Sequence, residues 1–97
     1  RLTRLRLTGH RSLAEARLAL GQHDQALADL EPLADGYPLD EQVHRQLIVA
    51  LYRAGRQNES LAAYQRLRSN LDELGIEPAP ALRQLQVAIL RQDEVLA

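Results

Sequence analysis

The sequence contains no Cys, Met, Trp, Phe or Lys, and its only aromatic residues are three Tyr. Without Cys there can be no disulfide scaffold, thiolate zinc site, iron–sulfur cluster or cysteine nucleophile, which fits a reducing compartment. No run of 18 apolar residues and no signal-peptide pattern occurs, so we predict no membrane span and a cytoplasmic location. The net charge of −1 gives no bulk attraction to nucleic acid or membranes.

The composition is instead dominated by 20 Leu and 14 Ala, and Leu, Ala, Arg, Gln and Glu are strong helix formers. We predict an all-α domain over residues 1–97, with five helices at residues 2–20, 24–35, 40–54, 58–74 and 80–92. Connections this short require consecutive helices to pack antiparallel. The apolar stripes on the last three helices comprise Val43, Leu47, Ala50, Leu51 and Ala54; Leu61, Tyr64, Leu67 and Leu71; and Leu82, Leu85, Ala88 and Ile89.

Turn-forming and capping residues mark the predicted helix ends. Four glycines are expected in the left-handed conformation after helices: Gly21, Gly36, Gly55 and Gly75. Three side chains are predicted N-caps, namely Asp24, Asp40 and Asn58, and Pro80 suits the first turn of the fifth helix. Gly9 interrupts the pattern of the first helix and is expected to mark a bend.

An internal repeat of 34 residues is the most informative feature of the chain. A shift by 34 places Leu13 on Leu47, Ala16 on Ala50 and Gly21 on Gly55. This period with a helix–turn–helix unit is typical of tetratricopeptide (TPR) repeats. We predict TPR-like hairpins in a right-handed superhelical stack of two and a half repeats.

The beginning of the chain lacks a helix cap. In residues 1–7 the apolar residues already follow a helical pattern from the first residue. We therefore expect a fragment of a longer protein with a neighbour on its N-terminal side. In such a fragment Leu2, Leu5 and Leu7 should be partly exposed, which is typical of an interface.

Several stretches resemble the bacterial transcriptional activator domain, the helical module of the Streptomyces antibiotic regulatory protein (SARP) family. They are residues 18–23, 51–64, 71–82 and 88–93. The resemblance implies a TPR-like module C-terminal to a winged helix-turn-helix DNA-binding domain. It also implies packing on that domain, dimerisation and contact with RNA polymerase, with DNA bound only through the absent domain. Ala79 departs from the family pattern, which has a Ser cap before the proline.

No arrangement of residues indicates catalysis, a cofactor or a metal. His10, His23 and His44 lie far apart in sequence and have no thiolate beside them, whereas zinc needs three or four converging ligands. No nucleophilic triad, phosphate loop or dinucleotide fingerprint is present. We therefore predict that the protein is not an enzyme.

Charge is segregated along the chain, with net charges of +4, −6, +4 and −3 over residues 1–20, 21–43, 44–68 and 69–97. Solvated helix faces would explain this, as would complementary charges between neighbouring helices or between protomers. A third interpretation is that Arg1, Arg4 and Arg11 meet an acidic partner surface or the DNA backbone.

The candidate interface residues form two sets. Leu2, Arg4, Leu5 and Arg11 are predicted to dock the absent DNA-binding domain or a second protomer. A polar partner face is predicted from Tyr52, Arg53 and Arg56, with Tyr52 lining the concave groove. Tyr64 is expected in the core with its hydroxyl at the edge.

Two functional hypotheses follow. The first is an interaction and dimerisation module of a transcriptional activator, which packs on a winged-helix domain and assists RNA polymerase recruitment. The alternative is a generic TPR adaptor that binds a peptide or partner protein without a direct role in transcription.

Overall fold

The computed structural model describes the backbone of residues 4–92 and the side chains of residues 6–92. Five helices follow one another: α1 (Arg4–Ala19), α2 (His23–Gly36), α3 (Glu41–Arg53), α4 (Gln57–Glu73) and α5 (Pro80–Leu90). Residues 4–92 include no strand. Each described helix end lies within two residues of its predicted position, so the all-α prediction is confirmed.

The helices pack in the order that the repeat predicts. α1 and α2 form one hairpin, α3 and α4 form the next, and α3 also packs against α1, α2 and α5. Thus α1, α3 and α5 are the first helices of successive hairpins. The helix that would complete a third hairpin with α5 has no counterpart among the described residues.

The centre of this stack is α3, whose side chains are buried on nearly every side. Its predicted stripe is buried from Val43 to Leu51, but Ile48 and Val49, which lie outside that stripe, are buried as well. Because α3 packs against four other helices, it cannot keep a wholly polar face. Two of its polar residues, His44 and Gln46, are fully buried as a result.

The connections within and between hairpins differ. After α1 and α3, the positive φ angles of Gly21 (75°) and Gly55 (79°) let the chain reverse. The next amide then bonds the carbonyl five residues back, as in Gln22 N to Arg17 O at 2.8 Å. The prediction for Gly36 is wrong, since this residue is the last one of α2 and has no positive φ angle. That connection turns instead through Tyr37 and Pro38.

Only one of the three predicted N-caps is confirmed. Asp40 precedes α3, and its Oδ1 accepts a hydrogen bond from Val43 N at 2.9 Å. The predictions for Asp24 and Asn58 are wrong, because α2 begins at His23 and α4 at Gln57, without a side-chain cap bond. The glycine turns bring the chain into these helices directly, so the cap positions are Gln22 and Arg56 and the predicted capping side chains fall two residues late.

Three further expectations need correction. α1 continues through Gly9, so this residue does not interrupt the helix. Leu7 is buried rather than partly exposed, while Leu2 lies outside the described residues and so does the side chain of Leu5. Tyr64 lies in the core as expected, but its hydroxyl is buried without a hydrogen-bond partner instead of reaching the edge.

We predict that Gly9→Ala stabilises the protein by roughly 0.5–1 kcal/mol, because glycine in a helix loses more backbone entropy than alanine. A Cβ atom at this position would meet no atom within 4 Å. Gly21→Ala is the matched control: space is open there too, but its φ of 75° penalises an L side chain. Urea denaturation should show opposite shifts in the free energy of unfolding, and a destabilising Gly9→Ala would contradict the prediction.

Candidate functional site

A concave groove of about 530 Å³ runs between the first helices of the three hairpins. α1 supplies one wall, α3 the floor and α5 the other wall. The groove is lined by Glu15, Leu18, Ala19, Arg45, Val49, Arg53, Ala81, Gln84, Leu85 and Ala88. Small and aliphatic side chains thus line the interior of the groove. Its charged side chains belong to α1 (Glu15) and α3 (Arg45 and Arg53).

A polar network fixes α1 against α3 along this groove. The buried Gln46 donates from Nε2 to Arg11 O and to Glu15 Oε1, both at 2.9 Å. Arg45 donates to the same Glu15 oxygen at 2.6 Å. The hydrogen bond from Gln46, followed by that from Arg45, holds the pKa of Glu15 below its usual value. Glu15 therefore stays ionised at neutral pH with its charge already matched.

Arg11, a member of the predicted docking set, forms a bridge within the fold. Its Nη1 donates to Asp40 Oδ2 at 3.0 Å, and its side chain is only 24% exposed. Asp40 is at the same time the N-cap of α3. The other members of the predicted docking set cannot be placed in the same way: Leu2 is outside the described residues, as are the side chains of Arg4 and Leu5.

The three residues of the predicted polar face, Tyr52, Arg53 and Arg56, lie in different surroundings in the structure. Arg53 lines the concave groove, and its Nη1 donates to Leu18 O at 2.9 Å. Arg56 lines a different groove of about 360 Å³, which also includes residues of α2 and α4, and it pairs with Glu59 through two bonds of 2.6 and 2.7 Å. Tyr52 packs half-buried against the core and is not a lining residue of the concave groove.

Ion pairs between neighbouring helices account for much of the charge segregation. Three arginines of the basic blocks pair with the acidic block of residues 21–43: Arg11 with Asp40, Arg17 with Asp29, and Arg66 with Asp35, the last at 3.2 Å. The interpretation of complementary charge between helices is thus confirmed. Exposed ion pairs contribute at most about 1 kcal/mol each to the free energy of unfolding. Their main effect is therefore on the alignment of neighbouring helices.

His44 is a fully buried titratable group at the start of α3. Its Nδ1 lies 2.8 Å from Asp40 O, an acceptor, so Nδ1 carries the proton and Nε2 is left as a buried acceptor without a partner. Burial lowers the pKa of His44, and the carbonyl of Asp40 opposes that shift. The imidazole is therefore neutral in the folded protein at neutral pH.

Residues 4–92 contain no group of three His, Asp or Glu side chains that could hold a metal ion. None of the described helices has the length and apolar character needed to span a bilayer.

Residues 1–90 match the family model described as the bacterial transcriptional activator domain. The chain belongs to this family. It is 46% identical to the regulatory protein AfsR of Streptomyces griseus over 97% of this chain and 10% of that protein. Identity to the transcriptional regulator RedD of Streptomyces coelicolor is 44%, over 94% of this chain and 26% of that protein.

A solved structure shares the fold of this activator domain. It is Mycobacterium tuberculosis EmbR in complex with a low-affinity phosphopeptide, with a TM-score of 0.85 and 42% identity. The match covers 90% of this chain and 23% of that chain. The expected resemblance to SARP-family regulators is thus confirmed, and the activator domain spans only a small part of each of these relatives.

The predicted interface residues do not include Gln46, which joins α3 to α1, or His44, which is bonded to Asp40 O at the start of its own helix. Their signal was present in the sequence: they flank the start of a continuous apolar run, residues 47–51, which indicates a helix buried on all sides. Polar residues at the edge of such a run are expected to need internal partners.

We predict that Gln46→Glu destabilises this activator domain by at least about 2 kcal/mol at neutral pH, since it removes the donors and buries a carboxylate beside Glu15. Gln42→Glu, one turn earlier and exposed, is the matched control and should change stability little. Thermal or urea denaturation of both variants checks this. Equal stabilities would show that the α1–α3 network contributes nothing.

We also predict that stability decreases as the pH falls below about 6.5, the ordinary pKa of histidine. The folded pKa of His44 is lowered, so the unfolded chain binds the proton more readily, and stability is fully present only above that pH. The contribution of Glu15 has the same sign but is lost only below its usual pKa of 4.5. His44→Gln should flatten the dependence between pH 6.5 and 5 in denaturation curves. An unchanged slope would contradict the assignment.

Proposed function

We propose that this domain is the interaction and dimerisation module of a cytoplasmic SARP-type transcriptional activator, without enzymatic activity. In this proposal it packs on a winged-helix DNA-binding domain of the same protein and assists the recruitment of RNA polymerase. DNA is bound through that other domain. The family membership and the regulators among its relatives support the proposal.

The observation that carries the docking role is an apolar stripe on α1. Leu13 and Leu20 are 43% and 72% exposed, and Ala16 between them is exposed as well. Their equivalents after the 34-residue shift are Leu47, Ala50 and Ala54, all of which pack in the core.

Compared with α3, α1 lacks a neighbouring element among the described residues that covers its apolar stripe. On α3 the equivalent stripe is covered by neighbouring helices, whereas on α1 no described element covers it. Exposure of Leu13, Ala16 and Leu20, where the repeat expects burial, favours a docked domain over a solvated surface. We assign the DNA-binding domain to this stripe, hereafter the α1 stripe.

The test compares Leu20→Glu with Leu74→Glu in the regulator that contains this chain. Both leucines are exposed and precede a glycine with positive φ at a helix end, so the two changes are matched in charge and in turn geometry. Leu20→Glu should reduce reporter transcription about tenfold or more, since a buried carboxylate at an interface costs several kcal/mol. Leu74→Glu should retain activity.

Protein level and helicity of both variants must equal those of the wild type for this comparison. Equal activity of the two variants would contradict docking through the α1 stripe and favour the peptide-binding adaptor. Dimerisation is measured separately by sedimentation equilibrium of the same regulator. A strictly monomeric wild type would remove that part of the proposal.

A further inference from the structure

Two of the first helices carry the same pattern of an arginine, a valine and an arginine at every fourth residue. On α3 these residues are Arg45, Val49 and Arg53, and on α5 they are Arg83, Val87 and Arg91. Residues four apart lie on one side of a helix, so each set forms a row along its helix.

The structure brings these two rows to adjoining recesses. The α3 row lines the concave groove, and the α5 row lines a second recess of about 340 Å³. Gln84 and Ala88 belong to both recesses and form the ridge between them. We refer to the two rows with this ridge as the arginine surface.

Positive charge exceeds negative charge on this surface, although the whole chain has a net charge of −1. The two recesses are lined by four arginines and one carboxylate, Glu15. Glu15 is already bonded to Arg45 and Gln46. Arg45 is therefore paired within the groove, and Arg53 donates to Leu18 O, so the positive charge least engaged within the fold belongs to the α5 row.

The α5 row is the less satisfied of the two. Arg83 meets Glu77 at 3.5 Å with both side chains largely exposed, and Arg91 has no ion-pair partner among residues 4–92. Val87 between them is 44% exposed. An exposed aliphatic side chain flanked by two guanidinium groups favours a ligand that carries an aliphatic residue between two carboxylates.

We propose that the arginine surface binds an extended acidic segment of a partner protein, with an aliphatic residue midway between two carboxylates. Arginines eight residues apart on a helix are separated by about 12 Å along its axis. In an extended chain, residues i and i+4 span about 13 Å, and residues i, i+2 and i+4 face the same side. The matching motif is Glu-x-Leu-x-Glu, which places the leucine over the exposed Val87 and its carboxylates beside Arg83 and Arg91.

A peptide fits this surface better than nucleic acid does. Each pair of arginines encloses an aliphatic residue, and neither recess is lined by an aromatic side chain on which a base could stack. Guanidinium groups pair with carboxylates through two parallel hydrogen bonds. The inference deepens the proposed function, because it specifies the chemistry of the segment that the module would recruit.

The test is an NMR titration of the ¹⁵N-labelled chain with the peptide Gly-Thr-Glu-Thr-Leu-Thr-Glu-Thr-Gly. We expect saturable shifts at Val49, Val87 and Ala88. The double variant R83Q/R91Q should bind about fivefold more weakly, since two exposed charge pairs are lost. R66Q/R68Q is the matched control: it removes two exposed arginines of α4, away from both recesses, and should bind within about twofold of wild type.

Three outcomes would overturn the proposal: absence of saturable shifts up to millimolar peptide, equal weakening in both double variants, or displacement of the peptide by a short DNA duplex at physiological salt. Equal weakening would show that only bulk charge matters, and displacement would assign the surface to nucleic acid. Binding is read on this chain alone and at a different helix face from the α1 stripe. Failure here therefore leaves the transcription test of Leu20→Glu unaffected, and the converse also holds.

Discussion

The burial of α3 on nearly every side is the constraint on which the rest of the structure depends. A helix packed against four others must satisfy its polar side chains internally, because an unbonded buried donor costs about 1–3 kcal/mol. The amide donors of Gln46 meet this requirement only when the carbonyl of Arg11 and the carboxylate of Glu15 lie opposite its Nε2, whereas the acceptors Gln46 Oε1 and His44 Nε2 are buried without a partner. Apolar packing alone would allow α1 to slide along α3, whereas this bond specifies one register. Because α1 forms one wall of the concave groove, the same hydrogen bonds also determine the shape of the groove.

Most of the fold could be predicted from the sequence because its determinants are local. Apolar periodicity and strong helix formers place the helices, and the 34-residue shift identifies the hairpins. Gly21 and Gly55 mark turns correctly, since the reversal after a helix needs a positive φ angle. Gly36 was mistaken for such a turn because the sequence does not show that the chain leaves α2 through Tyr37 and Pro38. The N-cap prediction for Asp24 is wrong for a related reason, because the preceding turn already determines that α2 begins at His23.

The candidate site could be predicted much less well, since it depends on which helices face one another. Arg11 and Arg53 look alike in sequence, yet one bridges to Asp40, 29 residues away, and the other lines the groove. Arg53 and Arg56, three residues apart, line different grooves because α3 ends and the chain reverses between them. No local pattern distinguishes an arginine that pairs within the fold from one that faces a partner. Only the packing of distant segments decides this.

The distribution of ion pairs connects the fold to recognition. The acidic block of residues 21–43 supplies Asp29, Asp35 and Asp40 to arginines of α1 and α4, so much of its charge is used within the stack. Within residues 4–92, α5 has one ion-pair partner, Glu77, and no second helix completes its hairpin. Positive charge therefore remains on the outer side of the last helix and beside the groove. In a repeat fold, the first helix that lacks its hairpin partner is the place where residues selected for packing become available for binding. The α1 stripe at the other end of the described stack has a different origin, because α1 has its hairpin partner α2, and its uncovered side chains are aliphatic. The two ends of the described stack thus differ in chemistry, one being aliphatic and the other cationic, which favours a different kind of contact at each end.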